Sequence, residues 1–420
     1  MSCGTNIYEN KRMKILILTQ WYPPEPGLLM QELAQSLIGN GHQVTVLTGF
    51  PNYPSGKLYP GYRVQFLQRE IIAGVPIIRV PLYPEHSRSG IKRAINYLSF
   101  AFSAALLGRW IAPKPDVLFV YHPPLTVGIP AYVLSRLWRV PFVYQIQDMW
   151  PETLSATGML NNSKIIQIIG YFAKWVYKKA TSICVISPGF NSNLIEKGVP
   201  EKKIHTISNW VDPEAYYIAE PDNSLAESLG LAKRFNVVFA GIIGAAQGLE
   251  VILEAAKLLR EYNKIQFVLI GDGIALPELR KMAEAEHLKN VLFLGRYPQA
   301  RMPGLYALAD VLLVHLKDDP LFNITIPHKT LTYLASGKPI LAAVAGDTAE
   351  VVKQAGAGIT CQPSNPNALA EAVKRLYATR KTELQLMGRN GRKAAQTLYS
   401  REYLTAEIEA VLRRVEKQIV

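Results

Sequence analysis

Cysteine is scarce in this chain of 420 residues, which holds only Cys3, Cys184 and Cys361. An odd number so far apart excludes a disulfide framework or a cysteine-built metal centre as the organising device, and a reducing, cytoplasmic compartment is the expectation. Long apolar runs are missing too. The longest uncharged stretch beside a basic cluster, residues 94–108, is 15 residues long, short of the roughly 20 that a spanning helix needs. Residues 1–12 are polar and lack the apolar core of a signal peptide, and Met13 is a second candidate start. Charged residues make up 19% and hydrophobic ones 49%, which excludes disordered and coiled-coil classes.

Several chemical signatures are absent as well. There is no Gly-x4-Gly-Lys-Ser/Thr loop, no Gly-x-Ser-x-Gly elbow and no His-Glu-x-x-His, so P-loop, serine-hydrolase and zincin chemistry have no support. Asp-x-Asp, the spacing that holds a divalent ion against a diphosphate, is also missing. Any phosphate bound here is expected to meet backbone amides, helix ends and basic side chains instead of a metal.

What is present is an alternation. Short β-rich runs fall at 14–19, 43–48, 75–80, 117–121, 142–146, 182–186 and 204–207, with helix-length segments between most of them. After a polar stretch at 212–233 the pattern restarts at 236–240, 266–270, 291–294, 311–314 and 340–343. This predicts an α/β chain of two Rossmann-like, doubly wound domains facing a cleft, over 1–210 and 211–399, with a C-terminal helix over 400–420 whose packing partner the composition does not name. The net charge of +13 is lopsided: residues 1–210 carry 21 Lys/Arg against 10 Asp/Glu. A basic face attracts nucleic acid, anionic membrane or phosphorylated ligands. No nucleic-acid recognition motif accompanies it. The 94–108 helix, flanked by Lys92, Arg93 and Arg109, reads either as a core helix or as one lying on an anionic bilayer.

Candidate site residues cluster at strand ends. The run at 241–248, with Gly241, Gly244 and Gln247, follows one strand and opens a helix; Gly271-Asp272-Gly273 follows another. Both are places where an anion can approach backbone amides. Pro327-His328-Lys329 opens a helix that Gly337-Lys338-Pro339 closes, so Lys329 makes that helix start electropositive. In the first half, Pro23-Pro24-Glu25-Pro26-Gly27 presents a helix start at Gly27, and the strand at 142–146 runs into Gln147-Asp148-Met149-Trp150-Pro151-Glu152. Asp148, a carboxylate at a strand's end, suits acid/base or charge-stabilising work. The loop carrying Asn52 and Tyr53 has the amide and aromatic groups that bind sugars.

Together these pieces, with Asn209-Trp210-Val211-Asp212, resemble the retaining glycosyltransferases of family 4, which have the GT-B architecture. The resemblance runs from residue 14 to about 399. The 48–57 loop and Asp148-Met149-Trp150-Pro151-Glu152 are similar to one branch, the fucosamine-transferase-like enzymes of bacterial surface-polysaccharide assembly. It implies transfer of a sugar from a nucleoside diphosphate donor, UDP-linked, to a hydroxyl of a lipid-linked or saccharide acceptor, with retention and without a metal or other cofactor. By position it implies that Gly241 and Gly244 line the diphosphate, that Arg296 and Tyr297 lie near the base, and that Pro327, His328, Lys329, Thr332 and Gly337 surround diphosphate and ribose. Gly27 would complete the phosphate site on closure. Asp148 with Trp150 and Glu152 would face the reacting carbon and acceptor. The chain departs from the family pattern at Ala245 and Gln247, where many members have a basic residue, at Ile324 and Thr332, where most have the paired glutamates, and at Gln147, which aligns with a frequent histidine. A non-catalytic nucleotide-sugar-binding relative and a nucleotide-sugar epimerase stay open beside the transferase. The basic first half adds an anionic membrane surface as an expected partner, with a peripheral position on the inner face of the cell membrane.

Overall fold

A computed structural model describes residues 11–87 and 89–418; Cys3 and most of the 1–12 segment lie outside them. The first sheet holds β1 (Lys14–Leu18), β2 (Gln43–Gly49), β3 (Gln68–Ile72), β4 (Val75–Val80), β5 (Val117–His122), β6 (Phe142–Ile146), β7 (Ser182–Val185) and β8 (Ile204–Thr206). Their order is β3-β4-β2-β1-β5-β6-β7-β8, parallel except for the β3–β4 pair. The second sheet holds β9 (Phe235–Ala240), β10 (Ile265–Ile270), β11 (Val291–Gly295), β12 (Val311–His315), β13 (Ile340–Ala343) and β14 (Gly358–Cys361), ordered β11-β10-β9-β12-β13-β14 and parallel throughout. No strand lies between Thr206 and Phe235.

The central strands are buried on both faces, which is why they read as near-continuous apolar runs, KILIL, VLFVYH and IQFVLI. Two strands escaped the sequence reading. β3 is a half-exposed edge of sequence QREII, and β14 is a short edge of sequence GITC; neither has the apolar run that marks a buried strand.

Alternation along each strand divides the first domain's core. Ile15, Ile17, Val44 and Phe119 face the helix Leu29–Gly39, while Leu16, Leu18, Leu118 and Val120 face the helices Gly90–Ile111, Gly128–Trp138 and Ser163–Lys179. The C-terminal helix Arg401–Glu416 finds its partner here. It crosses back to the first domain, and Leu404, Ile408, Val411, Leu412 and Val415 bury themselves in the core beside Ile15, Phe119 and Val143. Ile408 is fully buried. Ile408→Ala should therefore cost the first domain about 3 kcal/mol. Urea denaturation monitored by first-domain tryptophans such as Trp138 checks this; an unchanged midpoint would show that the helix is only draped on the surface.

Two crossings join the domains side by side. Val211 N–H donates to Tyr399 O at 3.0 Å, and Val211 bridges Ser400 in parallel. Trp210 anchors the first crossing by donating Nε1–H to Glu32 at 2.6 Å. The chain order reverses at β1/β5 in one sheet and at β9/β12 in the other, and these switch points leave crevices at the strands' carboxyl ends, where ligands of open α/β sheets bind.

Candidate active site

The second domain's switch point is built around Lys329. It lies in the first turn of the helix His328–Ala335, and its ammonium rests 3.7 Å from the centroid of the Phe239 ring. A Cβ on Gly241 would come within 2.7 Å of Nζ, so the glycine is there to make room for the lysine. Nζ is buried and has no hydrogen-bond partner among the described residues. Burial without an anion pushes its pKa down to about 7.

Around it the glycine turns pack on one another. A Cβ on Gly271 would fall 1.8 Å from Gly241 O, and one on Gly273 would fall 2.2 Å from Ile243 O. The N–H of Gly241 donates to Ile270 O at 2.9 Å, and that of Gly271 to Gly295 O at 2.8 Å. These amides are spent on the fold, which corrects the expectation for Gly271: it permits loop-to-loop contact and offers a ligand no donor. Gln247 is also occupied, since its Oε1 accepts from Gly244 N–H at 3.1 Å. The side chain that stands where a basic residue was expected braces the turn instead.

His315, which the sequence reading passed over, ends β12 at the same crevice. Its Nδ1 lies 2.5 Å from Gln247 O while Nε2 is buried without a partner among the described residues. A carbonyl can only accept, so Nδ1 carries the proton, and burial, the largest cause, keeps the ring neutral. Nε2 is thus an idle acceptor. A histidine closing an otherwise aliphatic strand was the signal that could have found it.

The remaining donor-side expectations divide. His328 opens onto the cleft with Nε2 3.2 Å from Trp210 O, and Pro327 caps the same helix start. Arg296 is exposed just beyond β11, with Tyr297 half-buried beside it. Thr332 is corrected. It is 4% exposed inside the helix and its hydroxyl donates to Lys329 O at 2.9 Å, so helical periodicity turns it inward. Gly337 is corrected too: it ends the helix away from Lys329, packed by Ile218 and Gly388. Gly27 keeps the positive φ of 115° that suits glycine, and it is exposed at the start of the helix Leu29–Gly39.

In the first domain Asp148 sits just past β6 with no hydrogen bond or ion pair among the described residues. Burial alone raises its pKa to about 6. Its neighbour Gln147 is held by a reciprocal amide pair with Asn209, at 3.0 and 2.8 Å. The 209–212 motif is thus structural: it fixes the loop beside Asp148 and carries the domain crossing.

An aromatic wall extends from there. Trp150 packs edge-on against His122 and Tyr97, Tyr97 against Trp21, Trp21 stacks on Tyr53 at 4.5 Å, and Tyr53 meets His86. Arg93 lies near His86 and Tyr97 without an ion pair among the described residues. One acceptor-side expectation is corrected and one stands in part. Asn52 is 1% exposed, with its amide bonded to Phe50 O and Asn96. Glu152 is paired with Lys197 at 2.6 Å. The Asn52 amide is thus consumed within the domain, whereas Glu152 gives only Oε1 to Lys197 and keeps a buried Oε2 without a hydrogen-bond partner among the described residues.

Glu25 is the unforeseen organiser of this side. Its buried carboxylate accepts from the backbone N–H groups of Tyr22, Asn52 and Tyr53 at 2.8–3.0 Å, tying the proline-rich loop to the Tyr53 loop. Desolvation raises its pKa to about 7, against those bonds and the nearby Arg79. Among the described residues no group of three His, Cys, Asp or Glu side chains is placed to hold a metal ion.

Comparison with known proteins agrees with this two-crevice architecture. Residues 26–210 match the glycosyl transferase 4-like domain, and residues 234–379 match glycosyl transferases group 1. The chain belongs to the GT-B glycosyltransferases. It is 28% identical over 380 residues to a putative colanic acid biosynthesis glycosyl transferase, WcaI, of Escherichia coli, covering 86% of this chain and 91% of that one. It is 27% identical over 319 residues to a probable glycosyltransferase, WbjE, of Pseudomonas aeruginosa, covering 74% and 77%. Its fold is that of Anabaena HepE, solved with UDP, with a TM-score of 0.72 at 18% identity over 96% of this chain and all of that one. Sucrose-phosphate synthase from Thermosynechococcus elongatus superposes with a TM-score of 0.74 at 17% identity, over 96% and 99%.

Proposed function

We propose that this glycosyltransferase moves a hexose-type sugar from a UDP-linked donor, held at the Lys329 crevice, to a hydroxyl of a lipid-linked or saccharide acceptor lying along the aromatic wall. Anomeric configuration is retained and no metal ion is required. Its place is surface-polysaccharide assembly in the cytoplasm, peripheral on the inner face of the cell membrane. The observation that carries this reading is the pair of idle groups: Lys329 Nζ, buried without a partner among the described residues at the β9/β12 crevice, and the Asp148 carboxylate, without a hydrogen bond among them, just past the carboxyl end of β6. Support comes also from HepE, solved with UDP-glucose, and from WcaI, whose name places it in colanic acid biosynthesis.

In this reading the bond between the sugar's anomeric carbon and the diphosphate breaks, with the electron pair leaving on the diphosphate oxygen. Lys329 and the amides at the start of its helix neutralise that developing charge, the work a metal does elsewhere. The acceptor oxygen forms its bond on the same face of the sugar, and its proton passes to the departing diphosphate. Asp148 orients the acceptor hydroxyl or stabilises positive charge on the sugar. The aromatic faces of Trp150, Tyr97 and Trp21 suit sugar rings, and Arg93 suits a phosphate at the wall's end.

The test is turnover of a panel of nucleoside diphosphate sugars with saccharide and polyprenyl-diphosphate saccharide acceptors in excess EDTA, followed by NMR of the product's anomeric proton. Turnover in EDTA with the donor's configuration kept is the expected result. An inverted product or a strict metal requirement overturns the mechanism, and donor binding without turnover or hydrolysis favours a non-catalytic relative. Epimerised donor formed without acceptor points to the epimerase.

A further inference from the structure

One face of the first domain is apolar, basic and uncovered. The helices Gly90–Ile111, Gly128–Trp138 and Ser163–Lys179 pack as one layer on the same side of the first sheet. Their inward faces supply the core, including Phe100, Leu134 and Val176. Their outward faces do not turn polar, as those of surface helices do. On the first helix Ile91, Phe102, Leu106 and Trp110 are 77%, 57%, 71% and 84% exposed. With Ile95 and Leu98 they recur every three or four residues, so they form one stripe opposite the buried side. Ile168 and Tyr171 extend the apolar surface on the third helix.

The charges of this layer are of one sign. The three helices hold eight Lys and Arg residues and no Asp or Glu. Arg109 ends the first stripe. Lys164 and Lys178 bracket Ile168 and Tyr171 on the third helix, and Lys174 and Lys178 also border a cavity of about 500 Å³ with Lys197 and Lys203. Two copies of the chain meeting through this face would set like charges together, since the nearby acidic groups, Glu85 and Glu152, are already paired with Lys92 and Lys197 of the same chain. An anionic bilayer offers both an apolar interior for the stripe and phosphates for the cations. No helix of the described residues is long and apolar enough to cross a membrane, so the arrangement suits lying on the surface.

We propose that this three-helix face docks the protein on an anionic lipid bilayer, with Phe102, Leu106 and Trp110 inserted and the flanking lysines and arginines at the headgroups. The inference deepens the membrane placement proposed above, and for its purpose it rests on the lipid-linked acceptor reading. The helix Gly90–Ile111 has two working sides. Arg93 and Tyr97 belong to the cleft wall, while the stripe meets the lipid, so docking brings the cleft mouth to the surface from which a lipid-carried acceptor comes.

The experiment is sedimentation of the full chain with vesicles of phosphatidylcholine alone or doped with phosphatidylglycerol, at low and high salt, beside light scattering without lipid. Binding should require the anionic lipid and weaken with salt. Each of Leu106→Glu and Trp110→Glu should reduce it by about tenfold or more, with unchanged thermal stability because both side chains are already in water. Binding equal on neutral vesicles, no binding, or a dimer that Leu106→Glu dissociates overturns the docking face. Sedimentation is read without turnover. A chain that docks but transfers nothing therefore sinks the proposed function alone, and one that transfers but ignores anionic vesicles sinks the docking face alone.

Discussion

Lys329→Met is expected to weaken UDP binding by roughly 100-fold, about 3 kcal/mol, while making the unliganded protein more stable. The two signs come from one cause. In the free protein the ammonium is buried against Phe239 without a hydrogen bond among the described residues, and desolvation lowers its pKa to about 7 from the usual lysine value of 10.5. A folded-state pKa below the unfolded one means that the unfolded chain holds the proton more tightly, so this group makes stability rise with pH between about 7 and 10.5. Methionine keeps the volume, removes the unpaired charge and flattens that rise. A diphosphate supplies the missing partner, so wild-type binding at pH 8 should also take up close to one proton, read as a dependence of calorimetric enthalpy on the buffer's ionisation heat. Unchanged affinity and no proton uptake in wild type would remove Lys329 from the donor site.

Asp148→Asn should lower kcat by about 100-fold or more, the range lost when a positioned acid/base group is removed, with UDP affinity kept. Burial has raised the Asp148 pKa to about 6 from 3.8. A raised carboxylate pKa means that ionisation costs the fold, so its contribution to stability falls as pH climbs from about 4 to 6, and the neutral asparagine should stabilise the enzyme at pH 7. Ionised Asp148 is the form that orients a hydroxyl or faces a positive sugar. Wild-type kcat/KM should therefore fall as the pH drops through about 6, and this acid limb should vanish in the variant. A variant as active as wild type, or one that keeps the limb, would reassign the role. Both substitutions pair a functional loss with a gain in stability, as expected where charge is held unpaired for a substrate.

Much of the candidate site was legible because it follows chain direction. A glycine run after an aliphatic strand, a proline-lysine pair opening a helix and an aspartate after β6 are local patterns, and Gly241, Lys329 and Asp148 are singled out as candidates that way. Other residues were misread because their local setting is ambiguous. Asn52 sits in a polar, turn-rich segment that looks solvent-facing, yet its carbonyl oxygen is taken by Asn96, far away in sequence, and one oxygen of Glu152 is likewise paired with distant Lys197. Thr332 lies one helical turn from Lys329 but points into the core. Glu25 stands among prolines with no sign that three amides from two loops converge on it.

The sequence by itself determined the two-domain α/β plan, the boundary between the sheets and the basic bias of the first half. Strand periodicity, glycine and proline punctuation and net charge are properties of neighbouring residues or of simple counts. Only the tertiary structure decided which charges have partners, which helix faces remain bare and where the last helix goes. Residues 401–416 carry an apolar stripe that would fit either domain, and the hinge at Val211 and Tyr399 returns it to the first. The 90–111 helix shows apolar residues all round in sequence, and only packing against the sheet reveals that one side stays in water. Burial and partnership arise between segments distant along the chain, and these are what distinguish a charge held for a ligand from one already neutralised.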